Sequence, residues 1–477
     1  MTRTPLRGRS QRAAMLIAFG LAGSAAPALG GGFALQENSG SGLGNAYAGG
    51  AAAAQDASTV WSNPAGMARL GRSQVAGALN LIQPSLKFSN ANSAAAAQQP
   101  LGNNGGNAGS LAAVPNLYFT MPVAPQWTAG IGLNAPFGLT SDYGEGWIGR
   151  FQGLKSEVKT INVNPAVSWQ PLANLAVGAG LNYQYLDATF TSNANYSAAL
   201  LAAAAANGIA PGSPLYNAIA QATPGLQSNV DVSGSDRAWG WNLGVLFDIT
   251  PDHRIGVHYR SGLKYTVSGQ VTFANPALPA LAPPLAAVVG QLAAGVNSHA
   301  LYDSGAASRI KLPEIVNLSY FGRLNERWDL MADLQYTGWS SIQQLAFTRS
   351  DGSPLQSTAE NFDDAWRFAV GVNYRHDARW LFRGGLAYDQ SPVQDAFRTV
   401  RLPDSPKTWL AGGARCQINP QLWVDVGVAY LWVRSAPIDD IGSSNLGLPP
   451  SAVTSSRVNG SYDNRTVIIS GQLTYAF

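Results

Sequence analysis

Single alternation of apolar and polar residues runs through most of the chain. Near its end, Val467, Ile469, Leu473, Tyr475 and Phe477 share one face. Ile468, Ser470, Gln472, Thr474 and Ala476 share the other. Trp366, Phe368, Val370, Val372 and Tyr374 alternate in the same way with Arg367, Ala369, Gly371, Asn373 and Arg375. So do Val424, Val426, Val428, Tyr430 and Trp432 with Asp425, Gly427 and Ala429. Successive side chains of a strand point to opposite faces, so these are strands with one face in apolar surroundings. The pattern predicts fourteen: 74–87, 113–123, 126–140, 156–170, 172–190, 229–249, 253–274, 308–324, 327–347, 365–376, 379–390, 407–418, 421–434 and 464–477. Many reach the ~10 residues that a tilted strand needs to cross a membrane.

The joints alternate too. Short turns fall at Pro125-Gln126, 171–174, 250–253, Asn325-Glu326, His376-Asp377 and Asn419-Pro420, with long loops at 88–112, 141–155, 191–228, 275–307, 348–364, 391–406 and 435–463. Short turns at one end and long loops at the other match the periplasmic and extracellular ends of an outer-membrane barrel. A barrel also leaves no open sheet edge in hydrocarbon. The expected fold is therefore all-β: a 14-stranded antiparallel transmembrane barrel. Residues 31–72 break the pattern. They are rich in Gly, Ala and Ser, with a short helix expected around 43–54.

Composition narrows the picture. Charged residues are 12% of the 477, and mean hydropathy is −0.02, too polar for a helical membrane bundle. The most apolar later stretch, Leu278 to Val296, carries Pro279, Pro283, Pro284 and Gly290, which would break a spanning helix. Residues 1–30 read as a cleaved signal peptide. Arg3, Arg7, Arg9 and Arg12 precede an apolar run from Ala13 to Ala26, and cleavage is expected after Gly30, or after Ala28. Removing four Arg and no acid leaves 30 − 4 = 26 basic against 27 acidic residues, net −1. That balance gives no case for nucleic acid. One cysteine, Cys416, excludes a disulfide framework, and no metal or other cofactor is expected. Four histidines (His253, His258, His299, His376) and no G-x-S-x-G or H-E-x-x-H motif argue against catalysis, so no catalytic residue is assigned.

The run GGFALQENSGSGLGNAYAGG from Gly31, followed by VWSNPAGM from Val60, resembles the start of mature long-chain fatty acid transporters of the FadL type. The resemblance continues through 135–169, 336–347 and 364–375 and spans essentially the whole mature chain. It implies an N-terminal hatch, residues 31–72, plugging a barrel of residues 73–477 and carrying the motif Asn63, Pro64, Ala65. It implies capture of hydrophobic ligands on extracellular loops, an interior site, and exit sideways through a kinked third strand. That strand here contains Pro136, Phe137 and Gly138. Pro136 lacks a ladder donor and Gly138 weakens pairing, so the residues themselves also point to a gap. Apolar, helix-prone stretches in 191–228 and 275–307 suit a capture surface. Candidate ligand contacts are Phe33 and Leu35 at the N-terminus, Trp61 in the hatch, and Leu285, Val288 and Val289 in a loop.

One departure bears on the ligand. By register, the family's carboxylate-binding basic positions fall near Ser192 and Thr358, and neither is basic. Arg150, Lys155, Lys159 or Arg367 would have to substitute, so uncharged hydrocarbons stand beside fatty acids. The expected partners are a hydrophobic small molecule, outer-membrane lipid and the barrel assembly machinery, with the chain a monomer in a Gram-negative outer membrane. A general diffusion porin and an outer-membrane lipid-modifying enzyme are the alternatives.

Overall fold

The computed structural model describes residues 31–442 and 456–477. The proposed signal peptide and the tip of the last long loop lie outside these. Among the described residues fourteen antiparallel strands close into a barrel. The first, Gln74–Asn90, pairs with both the second, Ala112–Ala124, and the last, Ser456–Ala476. Among the described residues no helix is long and apolar enough to cross a membrane.

The distribution of burial inverts that of a soluble protein. On the last strand Ile469 and Leu473 are 56% and 53% exposed, while Gln472 and Thr474 are buried inside. Trp366 and Phe368 point outward, and Arg367 between them points into the lumen at 2% exposure. The apolar faces form the outer wall and the polar faces the interior, as an enclosing hydrocarbon requires. Aromatic residues mark both rims. Trp127 stacks on Trp169 at 5.6 Å near the short turns, and Trp241 meets Tyr259 at 5.0 Å toward the loops.

Several strands rise further above the membrane than alternation indicates. The segment 348–364 is not a loop: Gln344–Arg349 pairs with Pro354–Ala359 as a hairpin that prolongs strands nine and ten. Likewise Ala436–Gly442 pairs with Ser456–Tyr462 within the expected loop 435–463. These extensions stand in water and pack on neighbouring loops, so they lack the single lipid-facing stripe that identifies a strand in sequence. The expected helices appear as Tyr196–Ala206, Pro214–Ala222 and Pro283–His299. They pack on one another through Tyr196, Leu200, Ile219, Val289 and Val296.

The expected helix at 43–54 is not continuous. Gly40–Leu43 and Gly50–Ala53 are separate single turns, and Ala46, Tyr47, Gly49 and Ala54 have positive φ between and after them. The hatch is a folded chain of turns, continued by Thr59–Ser62 and the 3₁₀ helix Pro64–Arg69.

Candidate ligand passage

The hatch fills the lower lumen because the wall supplies both room and hydrogen bonds. Where the hatch backbone touches the barrel, the strands carry glycine. A Cβ on Gly256 would lie 1.9 Å from the Ala51 carbonyl oxygen, and one on Gly385 2.2 Å from the Asn45 carbonyl carbon. Wall arginines donate to hatch carbonyls: Arg254 to Ala52 and Ala53, Arg260 to Trp61 (2.9 Å), Arg367 to Ala46 (2.6 Å). Arg415 pairs with Asp56 at 3.4 Å and with the fully buried Asp425.

The Asn-Pro-Ala motif has a structural explanation. Asn63 Nδ2 donates to the carbonyls of Ala51 (2.7 Å) and of Val245 in the wall (3.0 Å), while its Oδ1 accepts from Ala65 N–H (3.0 Å). Pro64 opens the 3₁₀ helix, where a missing N–H costs nothing. A Cβ on Gly178 would meet Ala65 N at 2.4 Å, so Ala65 lies flush against the wall.

The third strand is broken where Pro136 stands. It runs Trp127–Asn134 and resumes as Gly138–Asp142. Asn134 faces Asn162, but Gly138 faces Lys159, so Ala135, Pro136 and Phe137 stand opposite only Ile161 and Thr160. The surplus residue makes a bulge, which bends a strand locally. On the other side, strand two pairs with strand three only from Leu117 downward, which leaves the edge of 112–116 without a strand partner. Among the described residues the ladder of the wall is interrupted there. The N-terminal peptide closes it: Leu35 N–H donates to Pro136 O (2.8 Å), Gly138 N–H donates to Phe33 O (2.9 Å), and Ala34 bridges Phe137.

Phe33 also fills the apolar interior above the hatch. Its ring lies 4.8 Å from Trp339 and 6.0 Å from Phe137, in a cluster with Tyr143, Trp147, Phe362 and Tyr462. Leu35 packs lower, against the hatch and wall. Trp61 lies apart, with Val60, Met67 and Tyr118, and Arg260 stacks over its ring at 3.4 Å. The structure does not bring Trp61 to the Phe33 cluster. Leu285 and Val288 are half-buried on the loop helices and Val289 is fully buried between them. A small apolar pocket, lined by Phe190, Val232, Val267, Ala306 and Phe347, lies between the loop helices and the Phe33 cluster. A larger pocket lies between the hatch and the wall and carries polar side chains, Asn45, Thr59, His258, Asp333 and Arg367 among them.

The sequence-nominated cations are all engaged. Arg150 donates to the carbonyls of Pro100, Leu101 and Trp147, Lys155 and Lys159 flank Glu157, and Arg367 holds the hatch. Sequence reasoning missed Arg401, in the loop above strands eleven and twelve. Its guanidinium lies 5.4 Å from the Phe190 ring centre and donates to Ser156 Oγ. Burial lowers its pKa to about 10, opposed by the nearby Glu360 and Asp440 carboxyls. Burial in turn raises Glu360 to about 8, Arg401 pulling the other way. A carboxyl raised on folding stabilises below its unfolded pKa and loses that contribution as pH rises through the folded one. The melting temperature should therefore fall as pH climbs from about 4.5 to about 8. In Glu360→Gln this part of the pH dependence should vanish, as read by thermal denaturation in detergent.

The comparisons with known proteins agree with this geometry. The family model described as outer membrane protein transport protein (OMPP1/FadL/TodX) matches residues 21–477. The long-chain fatty acid transport protein of Escherichia coli (strain K12) is 30% identical over 415 residues, 86% of this chain and 89% of that protein. Outer membrane protein P1 of Haemophilus influenzae is 30% identical over 434 residues, 88% of each. Among solved structures, a Pseudomonas aeruginosa FadL homologue superposes with a TM-score of 0.80 at 22% identity, covering 94% of this chain and 100% of that one. The Ralstonia pickettii toluene transporter TbuX gives 0.60 at 19% identity, over 92% and 98%. The closed wall thus agrees with the sequence match: the chain is an outer-membrane β-barrel belonging to the OMPP1/FadL/TodX transport family.

Proposed function

We propose that this barrel takes up hydrophobic small molecules passively and releases them sideways into the bilayer. The observation that carries the reading is the edge of 112–116 in strand two, which has no strand partner among the described residues, beside the break in strand three where residues 33–35 are hydrogen-bonded. An apolar solute gathers on the loop helices, passes the Phe190–Phe347 cavity, and competes with Phe33 for the aromatic cluster. Displacing Phe33 also strips the peptide from Pro136 and Gly138, so filling the site opens the wall. The route downward is unfavourable, because the polar cavity would cost the ligand ~25 cal/mol for every Å² of apolar surface returned to polar surroundings. The bilayer imposes no such cost. No energy source is required. Neither a general porin nor a lipid-modifying enzyme accounts for a hatch held by this many wall contacts.

Cleavage after Gly30 fits the same picture. It would free an ammonium at Gly31, whose nitrogen lies 3.0 Å from the buried Asp389 carboxylate. There is no space for a side chain: a Cβ on Gly31 would lie 2.7 Å from Asp389 Oδ1. N-terminal sequencing of the exported protein tests this directly.

Long-chain fatty acids and hydrocarbons both suit the apolar path, and relatives carry either name. Arg401 favours the acids, since it stands over Phe190 at the cavity and, among the described residues, Glu360 and Asp440 act on it only from beyond ion-pair distance. Uptake of a long-chain acid, its methyl ester and toluene by cells carrying wild type or Arg401→Gln separates the classes. Acid uptake should fall about tenfold, the loss of one charge-assisted hydrogen bond, with ester and toluene unchanged. Equal acid uptake would leave uncharged ligands as the substrate class.

A further inference from the structure

The outer wall carries a basic patch that the uptake reading leaves unused. Arg237, Lys264, Arg309 and Lys311 are all exposed, on the extracellular parts of strands six, seven and eight. Lys264 and Lys311 stand directly opposite each other across the strand pair, and Arg309 faces Thr266 two residues along. Like charges directly opposite on a sheet are destabilising. Among the described residues none of the four has an ion pair. The nearby acids are otherwise engaged: Asp236 accepts from Thr266 N–H, Glu314 from the Tyr259 hydroxyl, and Asp187 from the Tyr185 hydroxyl. Arg237 lies 6.0 Å from the Tyr185 ring centre.

Its height on the wall identifies the partner. Trp239 (69% exposed) is two residues below Arg237, with Trp241 beyond it, and Tyr259 precedes Lys264 on strand seven. Exposed aromatics of this kind sit at the headgroup level of a membrane barrel. The cations therefore stand just above that level on the lipid-facing side, where the neighbour is a lipid headgroup. Two opposed ammonium groups flanked by two guanidiniums match a phosphate, which accepts several charge-assisted hydrogen bonds. We propose that Arg237, Lys264, Arg309 and Lys311 form a binding site for a phosphorylated lipid headgroup of the outer leaflet. The lipid relieves the Lys264–Lys311 repulsion and anchors the face of the barrel beneath the loop helices.

The test compares the purified full chain with Lys264→Gln/Lys311→Gln and with Arg237→Gln/Arg309→Gln. Arg379→Gln, at an exposed periplasmic turn, is the control. Each is incorporated into phosphatidylcholine nanodiscs with or without lipopolysaccharide, and the melting temperature is measured together with the phosphorus of retained lipopolysaccharide, assayed after the phosphatidylcholine has been extracted away. Wild type and control should gain stability with lipopolysaccharide and retain phosphate. Both double variants should retain several-fold less. In phosphatidylcholine alone, Lys264→Gln/Lys311→Gln should melt no lower than wild type, because a repulsion has been removed. Equal phosphorus on wild type and both variants would overturn the proposal. So would inorganic phosphate or a soluble polyanion giving the same stabilisation, because the site would then hold a free anion rather than a lipid.

Discussion

Deleting Ala135 and replacing Pro136 with Val should stop uptake while leaving a folded barrel. The deletion leaves two residues opposite Ile161 and Thr160, so strand three can run on in the register that pairs Asn134 with Asn162. Valine restores the donor that proline lacks. The straightened strand can then pair with the free edge of 112–116, adding about three ladder bonds at ~1 kcal/mol each, so opening becomes roughly a hundredfold rarer. Uptake of labelled ligand should fall accordingly. Heat-modifiable migration in gels and the β-sheet circular dichroism spectrum should be unchanged. Undiminished uptake by the folded variant would remove the sideways route.

The second large effect is expected from the wall glycines beneath the hatch. Gly256→Leu with Gly385→Leu places side chains where the backbone at Ala51 and Asn45 now lies. Each overpacked contact costs about 1–3 kcal/mol, and moving the hatch aside also breaks the bonds from Arg254 and Arg367. The wall faces hydrocarbon and its ladder is intact, so the hatch is the part that yields. Planar bilayers should show large, steady conductance for the double variant and near-silence for wild type. Asn63→Ala should act in the same direction but less strongly, since it removes hydrogen bonds without adding bulk.

Particular residues show how far the sequence carries. The transmembrane strands were legible because lipid outside and a polar lumen inside force one side chain in two to be apolar, as at Val467 to Tyr475. The returning arm Pro354–Ala359 of the hairpin was not, because above the membrane neither face meets lipid. The kink was legible at Pro136, where a missing donor and a glycine two residues on are local facts. The closing peptide was harder to read. Phe33 and Leu35 were nominated as ligand contacts, but their hydrogen bonds to strand three depend on a partner more than a hundred residues away. Arg401 was missed for a similar reason: its meeting with Phe190 is made by loop packing and leaves no spacing in the sequence. Gly244, Gly256 and Gly385 looked like ordinary small residues of a lumen face. Their importance lies in what stands 2 Å from the absent Cβ. Trp61 was nominated as a ligand contact in the hatch, and the structure seats it beneath Arg260.

The most direct measurement is uptake through a clamp on the closing peptide. Ala34 and Phe137 are antiparallel bridge partners, a Cα separation of about 4.5–5.5 Å that suits a disulfide. With Cys416→Ser to remove the native thiol, Ala34→Cys/Phe137→Cys is oxidised, assayed for ligand uptake, reduced and assayed again. The account expects no uptake while the bridge is closed and recovery on reduction. The same rate in both states would contradict it.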